Sequence, residues 1–268
     1  GELARAGGRV VKNVAGYDLM KLMTGSYGSL GILSELTFRL YPVQACSRSL
    51  ILAGDSRAIE AATAEARLSG LTPVALDVLS GSLMMSLGVG DLGRALVARF
   101  QGIEAGVAEQ TARLKKIATT HSMSCQQLEG SADEDFWARS QQSIKPDTLL
   151  CKVGLRPSGI PWLIELADQV MPGAQVRLYG SSGLGWIQAD QAHSIDKTVD
   201  KTVSGLVELR SHCQKNAGFL TVLQASQNIK QSIDVWGYSG NALTVMSDIK
   251  QTFDPQKILS PGRFVGKL

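Results

Sequence analysis

The sequence predicts an α+β fold with a mostly antiparallel sheet, and three observations lead to this fold class. After Pro42, short apolar runs alternate with longer amphipathic segments, which is the pattern of strands alternating with helices. The order of these elements then repeats once along the chain. The residues before Pro42 differ, since glycines separate short apolar runs at positions Gly7, Gly8, Gly16, Gly25, Gly28 and Gly31.

The glycine-rich segment before Pro42 contains a predicted helix start and ends with a predicted strand. Tyr17-Asp18 indicates a helix start, because an acidic residue is favourable at a helix N-terminus, and we expect a structural role for both residues. Apolar alternation predicts a strand over Ile32–Leu40, which Tyr41-Pro42 closes. Glycines so placed allow the backbone to turn tightly or to approach a ligand closely. A turn-rich sheet edge is the alternative explanation.

The first repeat has the order β-α-β-β-α-β. Its predicted elements are a strand at Ser49–Ala53, a helix at Ser56–Ser69, strands at Val74–Leu79 and Ala95–Phe100, a helix at Ile103–Thr120 and a strand at Met123–Leu128. Ser56 is a suitable N-cap for the Ala-rich first helix, because its hydroxyl can accept a hydrogen bond from a free backbone N–H. A further helix anchored by Trp137 is predicted over residues 132–143.

The second repeat has the same order. Its predicted elements are a strand at Leu149–Leu155, a helix at Ile160–Val170, strands at Gln175–Tyr179 and Trp186–Ala189, a helix at Ile195–Asn216 and a strand at Phe219–Gln224. Two such units in succession predict a duplicated ferredoxin-like domain with its helices on one face of the sheet. A last helix, Ala242–Thr252, stops where Pro255 blocks it, and the tail that follows is expected to dock. We expect domain boundaries at 1–44, 45–235 and 236–268.

Composition excludes several functional classes. The chain has 268 residues, of which 44% are hydrophobic, and this suits one large or two ordinary globular cores. A net charge of +3 gives a weak field, which argues against nucleic acid as a partner. No run approaches the roughly 18 apolar residues of a membrane span, so we expect a cytoplasmic protein. Because Gly1 opens directly into a motif-bearing segment, we also expect a missing N-terminal portion.

The sequence does not encode a metal or iron–sulfur site. The cysteines lie far apart without a CxxC pair and are predicted to be free, mostly buried thiols: Cys46, Cys125, Cys151 and Cys213. The histidines lack neighbouring ligands at metal-binding spacing: His121, His193 and His212. No catalytic base is evident. Three arginines could clamp a substrate carboxylate, namely Arg156, Arg177 and Arg263.

Residues 9–32 carry a long and specific resemblance. They read RVVKNVAGYDLMKLMTGSYGSLGI and resemble the signature KN(T/V)xGYDLxxLxxGSxGTLGI of FAD-linked oxidases of the vanillyl-alcohol-oxidase type. The resemblance implies the C-terminal part of a PCMH-type (p-cresol methylhydroxylase-type) FAD-binding domain, whose glycine-rich loop lies against the flavin. Positions without side chains let N–H groups approach phosphate oxygens, and short hydroxyls add donors. The implied FAD-binding residues are Gly25, Ser26, Gly28, Ser29, Gly31 and the backbone of Ile32.

A second match lies near the C-terminus. The segment FDPQKILSPGR, from Phe253 to Arg263, resembles the closing motif FDPxxxLNPG(K/R) of the same family. In that family the segment returns to the flavin domain, and its asparagine lies beside the flavin. Here Ser260 stands at the asparagine position and is the seventh candidate, although a hydroxyl lacks the two-sided reach of an amide. Tyr27 likewise stands where the family usually has an acidic residue.

The form GGRVVKNVAGYD, together with Val235-Trp236-Gly237, narrows the resemblance to FAD-binding subunits of glycolate oxidases. The HxGDGNxH and GEHGIG motifs of the homologous catalytic subunit are missing. The resemblance implies an auxiliary flavin subunit beside a catalytic flavin subunit and an iron–sulfur subunit, with a small 2-hydroxy acid as the substrate of the complex. Such a complex could be peripheral to the inner membrane face through its partners.

Two alternatives are a self-sufficient FAD-dependent 2-hydroxy-acid dehydrogenase and a non-catalytic structural subunit of the same complex. The missing metal motif argues against the first, whereas Ser260 and Tyr27 make the second conceivable. Because the missing portion would hold the first phosphate-binding loop, we expect residues 1–268 alone to bind FAD weakly or not at all.

Overall fold

An eight-stranded sheet organises most of the chain in the computed structural model, which describes residues 2–8, 16–190 and 196–268. Its strands are β1 (Cys46–Ala53), β2 (Ala75–Leu79), β3 (Ala95–Gly102), β4 (Ser124–Glu129), β5 (Leu149–Gly154), β6 (Gln175–Tyr179), β7 (Leu184–Ala189) and β8 (Phe219–Gln224). Neighbouring strands are antiparallel throughout. The predicted α+β fold class is therefore confirmed.

The described helices are α1 (Leu19–Met23), α2 (Ser56–Leu68), α3 (Gly81–Ser86), α4 (Glu104–Thr120), α5 (Ser131–Gln141), α6 (Ile160–Val170), α7 (Asp196–Lys215), α8 (Gln227–Ser232) and α9 (Leu243–Phe253). Single 3-10 turns lie at Pro157–Gly159 and Val265–Lys267. The sequence does not predict α3 or α8, because six residues are too few for an amphipathic period to show. Among the helices of the described ranges, none has both the length and the apolar composition needed to cross a bilayer.

The two repeats meet at the centre of the sheet. The strand order is β4-β1-β3-β2-β6-β7-β5-β8. The corresponding strands of the second repeat therefore lie across the sheet in the reverse order of those in the first. The central pair β2–β6 is antiparallel, and Val78 lies opposite Leu178. This topology confirms the predicted duplication of a ferredoxin-like unit.

A short strap covers one edge of the sheet. The amide of Val222 in β8 donates to the carbonyl of Val235 at 2.7 Å, and the Thr221 hydroxyl donates to the carbonyl of Trp236 at 3.2 Å. The Asp234 carboxylate accepts the amides of Trp236 and Gly237, which turns the chain at this point. The strap 233–237 therefore satisfies backbone groups that an edge strand would otherwise leave open.

Apolar side chains pack on both faces of the sheet. On one face α2, α4, α6 and α7 pack against the larger core cluster, and on the other α3 and α5 pack against a smaller cluster that contains Phe136 and Trp137. The expectation that all helices share one face is therefore wrong for α3 and α5. The physical reason is that the first repeat has apolar residues on its second face as well, such as Ile51, Leu79 and Val97, and these need cover.

The chain divides into two compact units. Val43–Gly237 forms the sheet unit, and Gly1–Pro42 together with Tyr238–Leu268 forms the terminal unit. The terminal unit contains α1 and α9, joined by loops, and its described residues include only a small buried set: Ser29, Leu30, Lys250, Asp254 and Val265.

The predicted strand over Ile32–Leu40 is wrong. These residues have no regular secondary structure, and Ile32, Phe38 and Leu40 are 85%, 76% and 87% exposed. A strand is stabilised by hydrogen bonds to a neighbouring strand, and no other part of the described chain supplies one to this segment. Alternation of apolar residues alone therefore did not determine the conformation.

Candidate functional site

The glycine-rich loop Gly25–Gly31, here called the cofactor loop, follows α1 directly. The predicted helix start is confirmed, and Asp18 pairs with Lys21 at 2.8 Å instead of capping the helix. After the helix ends at Met23, the Ser26 amide donates to the Met23 carbonyl at 3.1 Å. The chain therefore turns sharply into the loop.

Two hydrogen bonds stabilise the second half of the cofactor loop. The amide and the hydroxyl of Ser29 both donate to the Ser26 carbonyl, at 3.0 and 2.7 Å. Ser29 is 3% exposed, so these bonds are shielded from water. The Ser29 hydroxyl is therefore occupied as a donor, and only its lone pairs are available to another group.

Three loop residues adopt left-handed backbone angles, namely Gly25 (φ 82°), Tyr27 (φ 54°) and Gly28 (φ 74°). At Gly28 an added Cβ would lie 3.3 Å from Oγ of Ser260. The structure thus brings the predicted serine of the closing motif beside the predicted glycine of the cofactor loop. Tyr27 packs its ring 6.2 Å from the ring of Phe264.

A cavity of about 180 Å³ lies beside the cofactor loop. Three of the seven predicted cofactor residues line it, namely Gly25, Ser26 and Ser29. The other four do not line it: Gly28, Gly31, Ile32 and Ser260. The remaining lining is mostly apolar and comes from Leu22, Thr24, Leu30, Met246, Ile249, Lys250, Phe264 and Leu268.

The loop offers donors of the kind that a phosphate group requires. Within the described ranges, the amides of Gly25, Gly28 and Gly31 have no hydrogen-bond acceptor. These three amides lie three residues apart along the loop, and free backbone N–H groups are donors that an anion can use. The cavity is smaller than the roughly 300–1,000 Å³ of pockets that enclose a whole organic ligand. These residues therefore fit a part of FAD, such as its phosphates or a ring edge.

A buried ion pair lies beneath the loop. Lys250 in α9 is 5% exposed, and its Nζ lies 2.6 Å from Oδ2 of Asp254. The same Nζ donates to the carbonyl of Ser29 at 2.8 Å and to the carbonyl of Leu259 at 2.7 Å. An ammonium group has three donors, so all the donors of Lys250 are used.

Asp254 organises the segment 255–263, here called the closing loop. Its carboxylate accepts the amide of Ile258 at 3.1 Å and the amide of Leu259 at 2.8 Å. Burial raises the pKa of Asp254, but the hydrogen bonds from Lys250 and from the two amides outweigh it, so the pKa lies below its usual value of 3.8. Our sequence reasoning missed this pair. A lysine four residues before an aspartate at the end of a predicted helix could have indicated this ion pair.

The sheet unit contains two buried ion pairs around Trp137. Arg177 donates to Asp77 through Nε at 2.8 Å and to the Ser140 hydroxyl at 3.0 Å. Arg99 lies 2.7 Å from the fully buried Asp133. Burial raises the pKa of Asp77, although Arg177 opposes that rise. Because Asp77 and Ser140 occupy its guanidinium, Arg177 is not free to clamp a substrate carboxylate.

The other candidate side chains are dispersed. Arg156 and Arg263 are exposed, and neither guanidinium forms an ion pair with a described residue. His121 lies 2.8 Å from Glu65, burial lowers the pKa of His212, and His193 lies outside the described residues. In the part of the chain that the structure describes, no three His, Cys, Asp or Glu side chains are grouped as metal ligands would be.

The cysteines are free, as predicted, but they are not mostly buried. Cys151 and Cys213 are buried, and burial raises the pKa of each thiol to about 12. Cys46 is half-buried and Cys125 is exposed.

Solved structures share the fold of this chain. p-Cresol methylhydroxylase with substrate bound superposes with a TM-score of 0.61 at 13% identity, over 84% of this chain and 54% of that one. Alkyldihydroxyacetonephosphate synthase superposes with a TM-score of 0.57 at 15% identity, over 94% of this chain and 50% of that one. No family model matches the chain.

Curated relatives indicate the class of enzyme to which this chain is similar. An FAD-linked oxidoreductase of Mycobacterium tuberculosis is 25% identical over 292 residues, which is 99% of this chain and 62% of that protein. The chain is homologous to FAD-linked oxidoreductases and has the fold of the vanillyl-alcohol-oxidase and PCMH type, as the sequence motifs predict.

The particular relatives are glycolate oxidase subunits and D-lactate dehydrogenases. Glycolate oxidase subunit GlcD of Bacillus subtilis is 22% identical over 287 residues, covering 100% of this chain and 61% of that protein. Subunit GlcE of Escherichia coli is 54% identical over 50 residues, covering 19% of this chain and 14% of that protein. A mitochondrial D-lactate dehydrogenase of Arabidopsis thaliana is 22% identical over 295 residues, covering 99% of this chain and 50% of that protein. The chain thus spans about half to three-fifths of the relatives that it matches along its whole length.

Proposed function

We propose that this chain is the FAD-binding part of an auxiliary subunit in a glycolate oxidase complex. The complex oxidises glycolate to glyoxylate in the cytoplasm and passes the electrons through flavin to an iron–sulfur subunit. The observation that carries the proposal is the cofactor loop, whose free amides and left-handed turns suit phosphate oxygens beside a cavity. The names of the relatives support the choice of FAD and of a 2-hydroxy acid.

Six of the seven candidate residues have a definite role in this proposal. The amides of Gly25, Gly28 and Gly31, with the Ser26 hydroxyl and the backbone of Ile32, hold the phosphates or the ring edge. Ser260 reaches the same place from the closing loop, because its Oγ lies beside Gly28. When bound, the flavin would carry electrons that the partner flavin subunit takes from the hydroxy acid as it becomes a 2-oxo acid.

The division of labour in the complex follows from the motifs. The chain lacks the HxGDGNxH and GEHGIG motifs that its resemblance assigns to the catalytic subunit, and its Arg177 is held by Asp77. We therefore assign substrate oxidation to the partner flavin subunit and flavin binding to this chain.

The visible absorption spectrum tests this proposal. The subunit is purified alone and together with its candidate partner subunits, and glycolate is added to each sample. Acetate, which lacks the oxidisable hydroxyl, is the control. We expect bound flavin that bleaches with glycolate only when the partners are present. Bleaching in the subunit alone would mean a self-sufficient dehydrogenase, and no flavin in either sample would mean a structural subunit. Either result overturns the proposal.

A further inference from the structure

We propose that Lys250 and Asp254 are positioning residues that lock the cofactor loop and the closing loop together, so that FAD affinity depends on this buried ion pair. This inference rests on the proposed function, since it concerns the same cofactor. It adds two residues that were not among the predicted site residues.

The ammonium group of Lys250 has no donor left for a ligand. The side chain lines the cavity, so direct binding of a phosphate by its ammonium group would be the obvious role. All three of its donors are already used by Asp254, by the Ser29 carbonyl and by the Leu259 carbonyl. A buried ammonium group is costly unless it is paired, so this arrangement resists exchange of one acceptor for another. Lys250 therefore acts through the loops that it holds.

Lys250 and Asp254 together hold the backbone of the closing loop. Lys257 (φ 54°) and Ser260 (φ 45°) adopt left-handed angles that non-glycine residues disfavour. Asp254 holds the amide of Leu259, and Lys250 holds its carbonyl. Leu259 is thus fixed on both sides of its Cα, immediately before Ser260. The ion pair therefore sets the position from which Ser260 reaches Gly28.

Lys250 also holds the cofactor loop. Lys250 holds the Ser29 carbonyl, while the amide and hydroxyl of Ser29 bind the Ser26 carbonyl. One ammonium group therefore connects two loops that carry six of the seven predicted cofactor residues. By thermodynamic linkage, any ligand that stabilises the cofactor loop must also stabilise the closing loop, and the reverse holds equally.

Hydrogen exchange of the intact 268-residue chain tests the coupling without any cofactor. In Lys250→Met we expect residues 25–31 and 255–263 to exchange faster together, while β1 is unchanged. Asp254→Asn keeps the side-chain shape and is expected to give the same pair of changes, which covers the case that Lys250→Met does not fold. Faster exchange in only one loop, or in neither, would overturn the inference.

FAD titration distinguishes positioning from a general loss of stability. In the full-length subunit, we expect the dissociation constant for FAD to rise roughly five- to 150-fold in Lys250→Met, and to recover in part in Lys250→Arg. Val265→Ala is the control, since Val265 is buried in the same unit but does not line the cavity. If Val265→Ala and Lys250→Met lower the unfolding temperature equally and also weaken FAD binding equally, the positioning role is refuted. If the unsubstituted full-length subunit holds no flavin either alone or with its candidate partners, the proposed function falls, while hydrogen exchange still decides the coupling.

Discussion

Gly28 is the residue whose replacement most directly tests the cofactor loop. Its φ of 74° disfavours any side chain, and a Cβ would press on Oγ of Ser260. We expect Gly28→Ala to cost about 1–2 kcal/mol of folding free energy and to weaken FAD binding. Gly90→Ala is the matched control, because Gly90 has a φ of 89° in the sheet unit with open space around it. FAD titration and urea unfolding of both variants measure affinity and stability. If Gly28→Ala and Gly90→Ala bind FAD equally well, a role for Gly28 in FAD binding is refuted.

Asp133 is the residue on which the polar contacts beneath α5 depend. Its carboxylate accepts hydrogen bonds from Ser47, Ser49 and Arg99, and it has no exposed surface. Loss of the carboxylate charge leaves the partly buried guanidinium of Arg99 without its counter-charge, so we expect Asp133→Asn to cost about 3 kcal/mol. Asp135→Asn, on the exposed side of α5, should change stability by less than about 0.5 kcal/mol. Similar urea midpoints for the two variants would contradict this account.

Asp254 makes stability depend on pH in a definite direction. Its pKa in the folded chain lies below 3.8, so the folded state favours the ionised carboxylate. The stabilisation is complete above the unfolded-state pKa and is lost as the pH falls through the lower folded-state pKa. We expect the stability difference between the unsubstituted chain and Asp254→Asn to be largest at neutral pH and to shrink in acid. A difference that stays constant across a pH series of urea unfolding curves would argue against it.

Among the helices and strands, local sequence patterns correctly predicted those that pack against a core supplied by the same repeat. Helix Ile160–Val170 and strands Gln175–Tyr179 and Phe219–Gln224 have the predicted boundaries, because their apolar residues face a core that the same repeat supplies. The segment Ile32–Leu40 has equally clear alternation but no neighbour to pair with in the described chain. The pair of Lys250 and Asp254 shows a local spacing, but one acceptor of Lys250, the Ser29 carbonyl, lies in a loop distant in sequence.

Gly185 in β7 tests how closely neighbouring strands approach. A Cβ there would lie 2.0 Å from the carbonyl oxygen of Arg177 in β6, so the backbone would have to move. We expect Gly185→Ala to cost about 3 kcal/mol or more. Gly106→Ala in α4 is the control, because its Cβ would make ordinary contact with Ile103 at 3.6 Å. That variant should gain up to about 1 kcal/mol from helix propensity. Thermal unfolding of both variants measures this difference in stability. A small loss of stability in Gly185→Ala would show that β6 and β7 can move apart.

At the scale of the whole molecule, the sheet unit contains both core clusters. We therefore expect residues 43–237 to fold alone with a cooperative thermal transition, as circular dichroism would show. A fragment that stops at Ala225 would lose the strap 233–237, leave the edge of β8 open and unfold at a lower temperature. The absence of a cooperative transition in the longer fragment would mean that the sheet unit depends on the terminal unit.

The central pair β2–β6 has a consequence for the ancestry of this domain. Each repeat, taken alone, would end in an unpaired strand, β2 in one and β6 in the other. Two identical copies of such a half would join through that strand across a two-fold axis, because antiparallel pairing of a strand with itself is self-complementary. The eight-stranded sheet is what a homodimer of half-length polypeptides becomes when its two genes fuse. A polypeptide of residues 43–143 should therefore sediment as a dimer, held by the contact that the present chain makes within itself.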